Sequence, residues 1–294
     1  MNYLNDLFKD LHEMTKYAPG ADGVTSISEM QASARSAHKR VTGIISEAVY
    51  TAIIGKDGDA KESLRMAMAN MTLCIQLSFD SINRRKNGTD VYKYELEGMR
   101  RSYMENYYNA MDSLIGAITS ISPAEEGGQE DPVAAAWKNT RYQRLIKVCR
   151  IKSADDFDVI YPIDGSCLFF FRTLPIQKEI IDSRLEPYFE KVSGNEHVES
   201  MLFLALAKKV VAIALRRFDI LECPATIRNL FDESSVGGQR KDERESATAL
   251  SNMLDGEADS LISDIDAMLN ADSAINVSSM SAYNLPDDNI VMMP

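Results

Sequence analysis

Three histidines, four cysteines and a few paired acids are the residues of this 294-residue chain whose types could support chemistry. His12, His38 and His197 stand far apart. None lies in an HExxH pattern or beside a second ligand at metal spacing, so each reads as a surface side chain. Cys74, Cys149, Cys167 and Cys223 show no CxxC spacing, and three of the four lie in apolar or aromatic stretches. They read as free thiols in a reducing compartment. Gly55-Lys-Asp-Gly-Asp59 opens like a calcium loop but lacks the acidic ligand at the twelfth position, which leaves a turn after a helix. Asp155-Asp156 and Glu125-Glu126 fall in connecting segments, without the partial burial that acid–base work needs. There is no GxSxG, Walker or dinucleotide glycine pattern. These residues predict no enzyme, no cofactor and no metal.

The remaining chemistry is that of contact. Tyr103 and Tyr107 share a face with leucines and read as core, whereas Tyr92, Tyr94 and Tyr108 point elsewhere and are candidate partner-binding residues. Trp137, the only tryptophan, follows a polar linker and anchors it either to a bundle or to a neighbouring subunit. Arg84-Arg-Lys86 closes a helix, where cations offset the negative end of the dipole.

The elements that position these residues are helical. Only 9 Pro and 15 Gly punctuate the chain, too few for a many-stranded sandwich. The most apolar stretch, Met201 to Leu215, is shorter than a bilayer helix and carries Lys208 and Lys209 at its middle, so it reads as a core helix and no membrane is expected. The N-terminus has acids and no apolar run, unlike a signal peptide.

Self-similarity organises the chain. Tyr17-Ala-Pro-Gly-Ala-Asp22-Gly23 resembles Tyr161-Pro-Ile-Asp164-Gly165, and each introduces a helical pattern. The first helix runs to about Ile54, after a Ser26–Glu29 capping box; its counterpart lies between Ser166 and Val192, interrupted by Pro175 and Pro187. Nearly all-apolar second helices follow over Leu64–Ile82 and Val198–Ile220. Amphipathic third helices carry Leu96, Met99, Tyr103, Tyr107, Met111, Leu114 and Ile118, then Leu250, Leu254, Leu261, Ile265 and Met268. Asp-Ser-Leu-Ile recurs at 112–115 and 259–262, and 223–231 reads as an insertion in the second copy.

The expected fold is therefore all-α, with two tandem copies of a three-to-four-helix bundle unit. Its parts are an N-terminal arm over 1–27, copy one over 28–122, a linker over 123–157, copy two over 158–272 and an extended C-terminal arm over 273–294. Arg144–Lys152 and Phe157–Tyr161 alternate weakly and predict a small β-hairpin near the linker. Ile290, Val291, Met292 and Met293 end the arm and are candidate docking residues.

Charge is uneven. Residues 1–150 hold 19 cationic and 19 acidic side chains, and residues 151–294 hold 13 and 25, which gives the whole net charge of −12. A phosphate grip needs clustered Lys and Arg, so direct nucleic-acid binding is not expected.

Trp137, Phe157-Asp-Val-Ile-Tyr-Pro-Ile-Asp-Gly-Ser166, Leu185-Glu-Pro187 and the Ala/Leu-rich helix after them resemble tailed-phage head–tail connector (adaptor or head-completion) proteins, as in crAss-like and related phages of gut bacteria. The resemblance covers roughly residues 15–270, and copy one lacks a Leu-x-Pro equivalent in Thr42–Tyr50. It implies a homo-oligomeric ring, commonly twelvefold, beneath the portal protein and next to tail or further ring proteins. DNA would pass through the lumen without specific binding. The chain would then be a virion protein made in the host bacterial cytoplasm. The alternative is a cellular helical adaptor that binds a peptide or partner helix, a role its 15 methionines would suit. A di-metal enzyme ranks last, because the chain has no Glu-x-x-His pair.

Overall fold

A computed structural model describes residues 3–19, 26–86, 93–121, 130–192, 194–232 and 240–278, and among them the fold is all-α with no strand. The segment expected to be an arm is part of the body: Leu4, Leu7, Phe8 and Met14 are buried, and the short α1 (Leu11–Thr15) is capped by Asp10. Residues 20–25, with Asp22-Gly23, lie outside the described residues.

A 3₁₀ turn (Ile27–Met30) leads into α2 (Gln31–Ile45). The long first helix expected up to Ile54 is broken at Ser46, whose φ is +81°, and resumes as α3 (Glu47–Ile54). The Ser46 hydroxyl accepts the Val49 amide at 3.5 Å, capping the new helix, which helps offset the left-handed backbone. Then come α4 (Asp59–Lys86) and α5 (Lys93–Thr119), which pack along their length.

The expected β-hairpin is absent. Most of its first arm lies in α7 (Arg141–Val148), preceded by α6 (Pro132–Lys138), with 149–152 irregular, and most of its second lies in α8 (Ala154–Ile160). Helical spacing outweighs the weak alternation: Tyr142, Leu145, Ile146 and Cys149 gather on one packed side, while Ser153 caps α8 by accepting the Asp156 amide at 3.0 Å.

In the second half, α9 (Cys167–Ile180) contains Pro175 and passes through a π-helical turn (Ile181–Leu185) into α10 (Glu186–Lys191). Next are α11 (Glu196–Arg217), α12 (Ala225–Asp232) and α13 (Arg240–Ser278). α12 coincides with the segment read as an insertion. α13 continues to Ser278, so the arm expected from 273 begins as helix; residues 279–294, with Ile290 to Met293, lie outside the described residues.

The major helices pack in the order α2, α4, α5, α9, α11, α13. A broken helix followed by two long ones therefore occurs in both halves. The likeness is one of order and pairing. A single apolar core runs through both halves.

Candidate functional site

The most distinctive polar group lies where the halves meet. Arg172 of α9 donates through Nε to Glu222 Oε1 at 2.5 Å, and its guanidinium lies 5.1 Å from the Phe218 ring centre. Glu222 is 8% exposed, and burial pushes its carboxyl above the usual range although Arg172 opposes the rise. Burial disfavours the Arg172 charge, but Glu222 and Tyr142 outweigh it and raise the guanidinium pKa. Tyr107 and Tyr108 of α5 feel the Glu222 charge, and burial raises both phenols. Arg228 of α12 meets Glu105 of α5 at 3.0 Å and Arg101 of α5 meets Glu243 of α13 at 2.5 Å, two links between the halves.

A third link is Asp112. Its Oδ1 accepts from Ser166 Oγ at 2.9 Å and from the Leu168 amide at 2.7 Å, so a carboxylate of α5 caps the first turn of α9. The motif that carries the connector resemblance folds around the same corner. Phe157 and Ile163 are buried, Asp158 accepts the Ile163 and Gly165 amides at 2.7 and 3.1 Å, and Asp164 accepts from Thr226 of α12. The positive φ of Gly165 (+61°) and Asp164 (+55°) marks the tight turn this requires.

The four thiols stay protonated near neutral pH: burial pushes Cys149 up to about 11 and Cys223 up to about 12, and raises Cys74 and Cys167. A cavity of about 230 Å³ sits at the calcium-like turn, between the end of α5 and α6. Asp57 there accepts from Lys61 at 2.7 Å, and Lys56 pairs with Asp131. Among the described residues, no group of three His, Cys, Asp or Glu could hold a metal ion.

His38, read as a surface residue, is buried. Its ring stacks on Tyr3 at 4.2 Å and meets Tyr50 edge-on at 4.5 Å, because α2 turns that position toward the N-terminal segment. Its Nε2 lies 3.3 Å from Glu47 Oε1, close enough for an ion pair but not aligned as a hydrogen bond.

Of the residues expected to meet a partner, Trp137, Tyr94 and Tyr108 are described, and they do not form one surface. Trp137 is 4% exposed, with its ring edge-on to Phe171 at 5.2 Å, so it anchors the linker to its own chain. Tyr108 is half-buried against the core and Tyr107. Tyr94 is 69% exposed, and Tyr92 lies outside the described residues. No family model, curated protein or solved structure matches this chain.

Sequence reasoning missed several exposed apolar positions. Phe79 near the end of α4 is 49% exposed and Met99 near the start of α5 is 39% exposed. Both were read as bundle interior, and the only signal against this was their closeness to the α4–α5 connection, where a helix has fewer neighbours to bury it. Val159 of α8 is 88% exposed and Met253 of α13 is 52% exposed. No helix among the described residues is long and apolar enough to cross a membrane.

Proposed function

We propose that this chain is a structural virion protein of the tailed-phage connector class, forming a ring at the head–tail junction beneath the portal through which DNA passes. The observation that carries the reading is the exposure of Phe79 toward the end of α4 and of Tyr94 and Met99 in the first turns of α5. Aromatic residues and Met are enriched at protein interfaces relative to the rest of the surface. The resemblance of residues 157–166 to connector proteins supports the class, and this segment is tied to the first half where Ser166 donates to Asp112. The excess of acids after residue 150 suits a channel wall that DNA slides past. Copying one helical unit into two halves is part of the same reading.

The test is the mass and shape of the purified chain, alone and mixed with its cognate portal protein, by light scattering and negative-stain microscopy. A closed ring, free or seated on the portal, is expected. A monomer that never associates in either setting defeats the reading.

A further inference from the structure

The two helices that end the packing order, α2 and α13, each bury one side and turn the other to solvent, and the open sides have opposite charge. α2 exposes Ala32, Arg35, Ser36, Lys39, Arg40 and Gly43. Between Gln31 and Ile45 there is no acid, and the three cations form no ion pair with a described residue. Glu29 and Glu47 bound this face at its ends.

The open side of α13 carries Met253, Gly256, Glu257, Ser260, Asp264 and Ala267. From Leu250 to Leu269 there are five acids, Asp255, Glu257, Asp259, Asp264 and Asp266, and no base. Cations of the second half already fix part of this charge. Lys209 and Arg216 hold Asp255, Lys208 holds Glu257, Lys209 and Arg184 hold Asp259, and Tyr188 donates to Asp266. Glu257 and Asp259 nevertheless keep 44% and 48% of their side-chain surface open, and Asp264 has no ion-pair partner among the described residues.

We infer that α2 of one copy docks along α13 of the next. On α2 the stripe of Ala32, Ser36 and Gly43 includes Lys39 and has Arg35 and Arg40 to either side, with Arg141 of α7 donating to the Gly43 carbonyl at 2.7 Å; on α13, Glu257 and Asp264 border Gly256, Ser260 and Ala267, with Met253 beside them. Docked side by side at the roughly 8–10 Å that separates packed helix axes, the two helices bring the cations of one face within reach of the acids of the other. The two faces are different surfaces at opposite ends of one packing order. Their union is heterologous, each copy offering one face forward and one backward, and repetition closes a ring or runs on as a filament. This deepens the ring reading above and rests on it.

The experiment uses two full-length variants. One carries Arg35→Glu, Lys39→Glu and Arg40→Glu; the other carries Ser260→Lys, Ser263→Lys and Asp264→Lys. All six positions are exposed, so each variant is expected to keep the parent melting temperature. Each alone should need at least tenfold more protein to assemble, as read by sedimentation velocity. An equimolar mixture should assemble near the parent concentration, because the acidic α2 of one fits the basic α13 of the other. If the parent assembles and either variant does so equally well, the docking is overturned while the ring reading stands. A mixture of two folded variants that stays dissociated also overturns the docking. A parent chain that remains monomeric both alone and with the portal protein overturns both.

Discussion

Asp112 takes the backbone amide of Leu168 at 2.7 Å, so the first turn of α9 is closed by a carboxylate from the other half of the molecule. Side chains that cap helices usually come from the residue just before them; here Ser166 does so locally, accepting the Phe169 amide at 3.2 Å, and donates its own proton to Asp112.

Asp112→Ala is expected to destabilise the fold by about 1–2 kcal/mol, since it leaves the Leu168 amide unpaired. Asp112→Asn should lose less, because its carbonyl still accepts. Urea denaturation at neutral pH measures both, and equal losses would remove the acceptor argument.

Arg172→Met is expected to cost about 3–5 kcal/mol, as it strands the buried Glu222 carboxylate. The folded pKa of Glu222 is already raised, so the acid form is tolerated inside, and losing Arg172 raises it further. The gap between variant and parent should therefore narrow as pH falls and Glu222 takes up a proton. Denaturation midpoints at pH 7 and 5 give the comparison, and a gap that widens in acid contradicts it.

Asp255 has the opposite sign. The hydrogen bond from Lys209 is the largest cause holding its pKa below the usual value, with burial opposing it. Its stabilising contribution is present above the unfolded value of about 3.9 and is lost as pH falls through the lower folded value. Asp255→Asn should weaken the protein at pH 7 and lose less than the parent on acidification below about pH 4. An acid limb as steep as the parent's would show that Asp255 does not contribute there.

Phe79→Ser should change folding stability by no more than about 0.5 kcal/mol, as expected for an exposed position, while weakening self-association or portal binding. Thermal melting and light scattering on the same sample separate the two effects. Undiminished association would take Phe79 out of the contact surface.

The long helices were legible because their apolar spacing is sustained. Tyr103, Tyr107, Met111, Leu114 and Ile118 recur at three and four, and all five are buried. The break at Ser46 was not legible, since serine carries no preference for positive φ, and the cap that accommodates it is seen only in three dimensions. α7 and α8 were missed because eight- and seven-residue helices give barely two periods, and Val148 and Val159 favour strands locally. On contact residues the sequence could name types but not sides. Trp137 and Tyr94 are equally plausible aromatics on paper, and Phe171 encloses one of them.

Because each major helix leans mainly on the next, the protein need not come apart all at once. α2 and α13 lie at the two ends of that order, so either could detach while the α5–α9 contact, tied by Asp112, holds. Amide exchange should then be fastest at the two outer helices and slowest at the middle. An assembly that clasps those same outer helices would thus splint the regions a solitary copy holds most loosely.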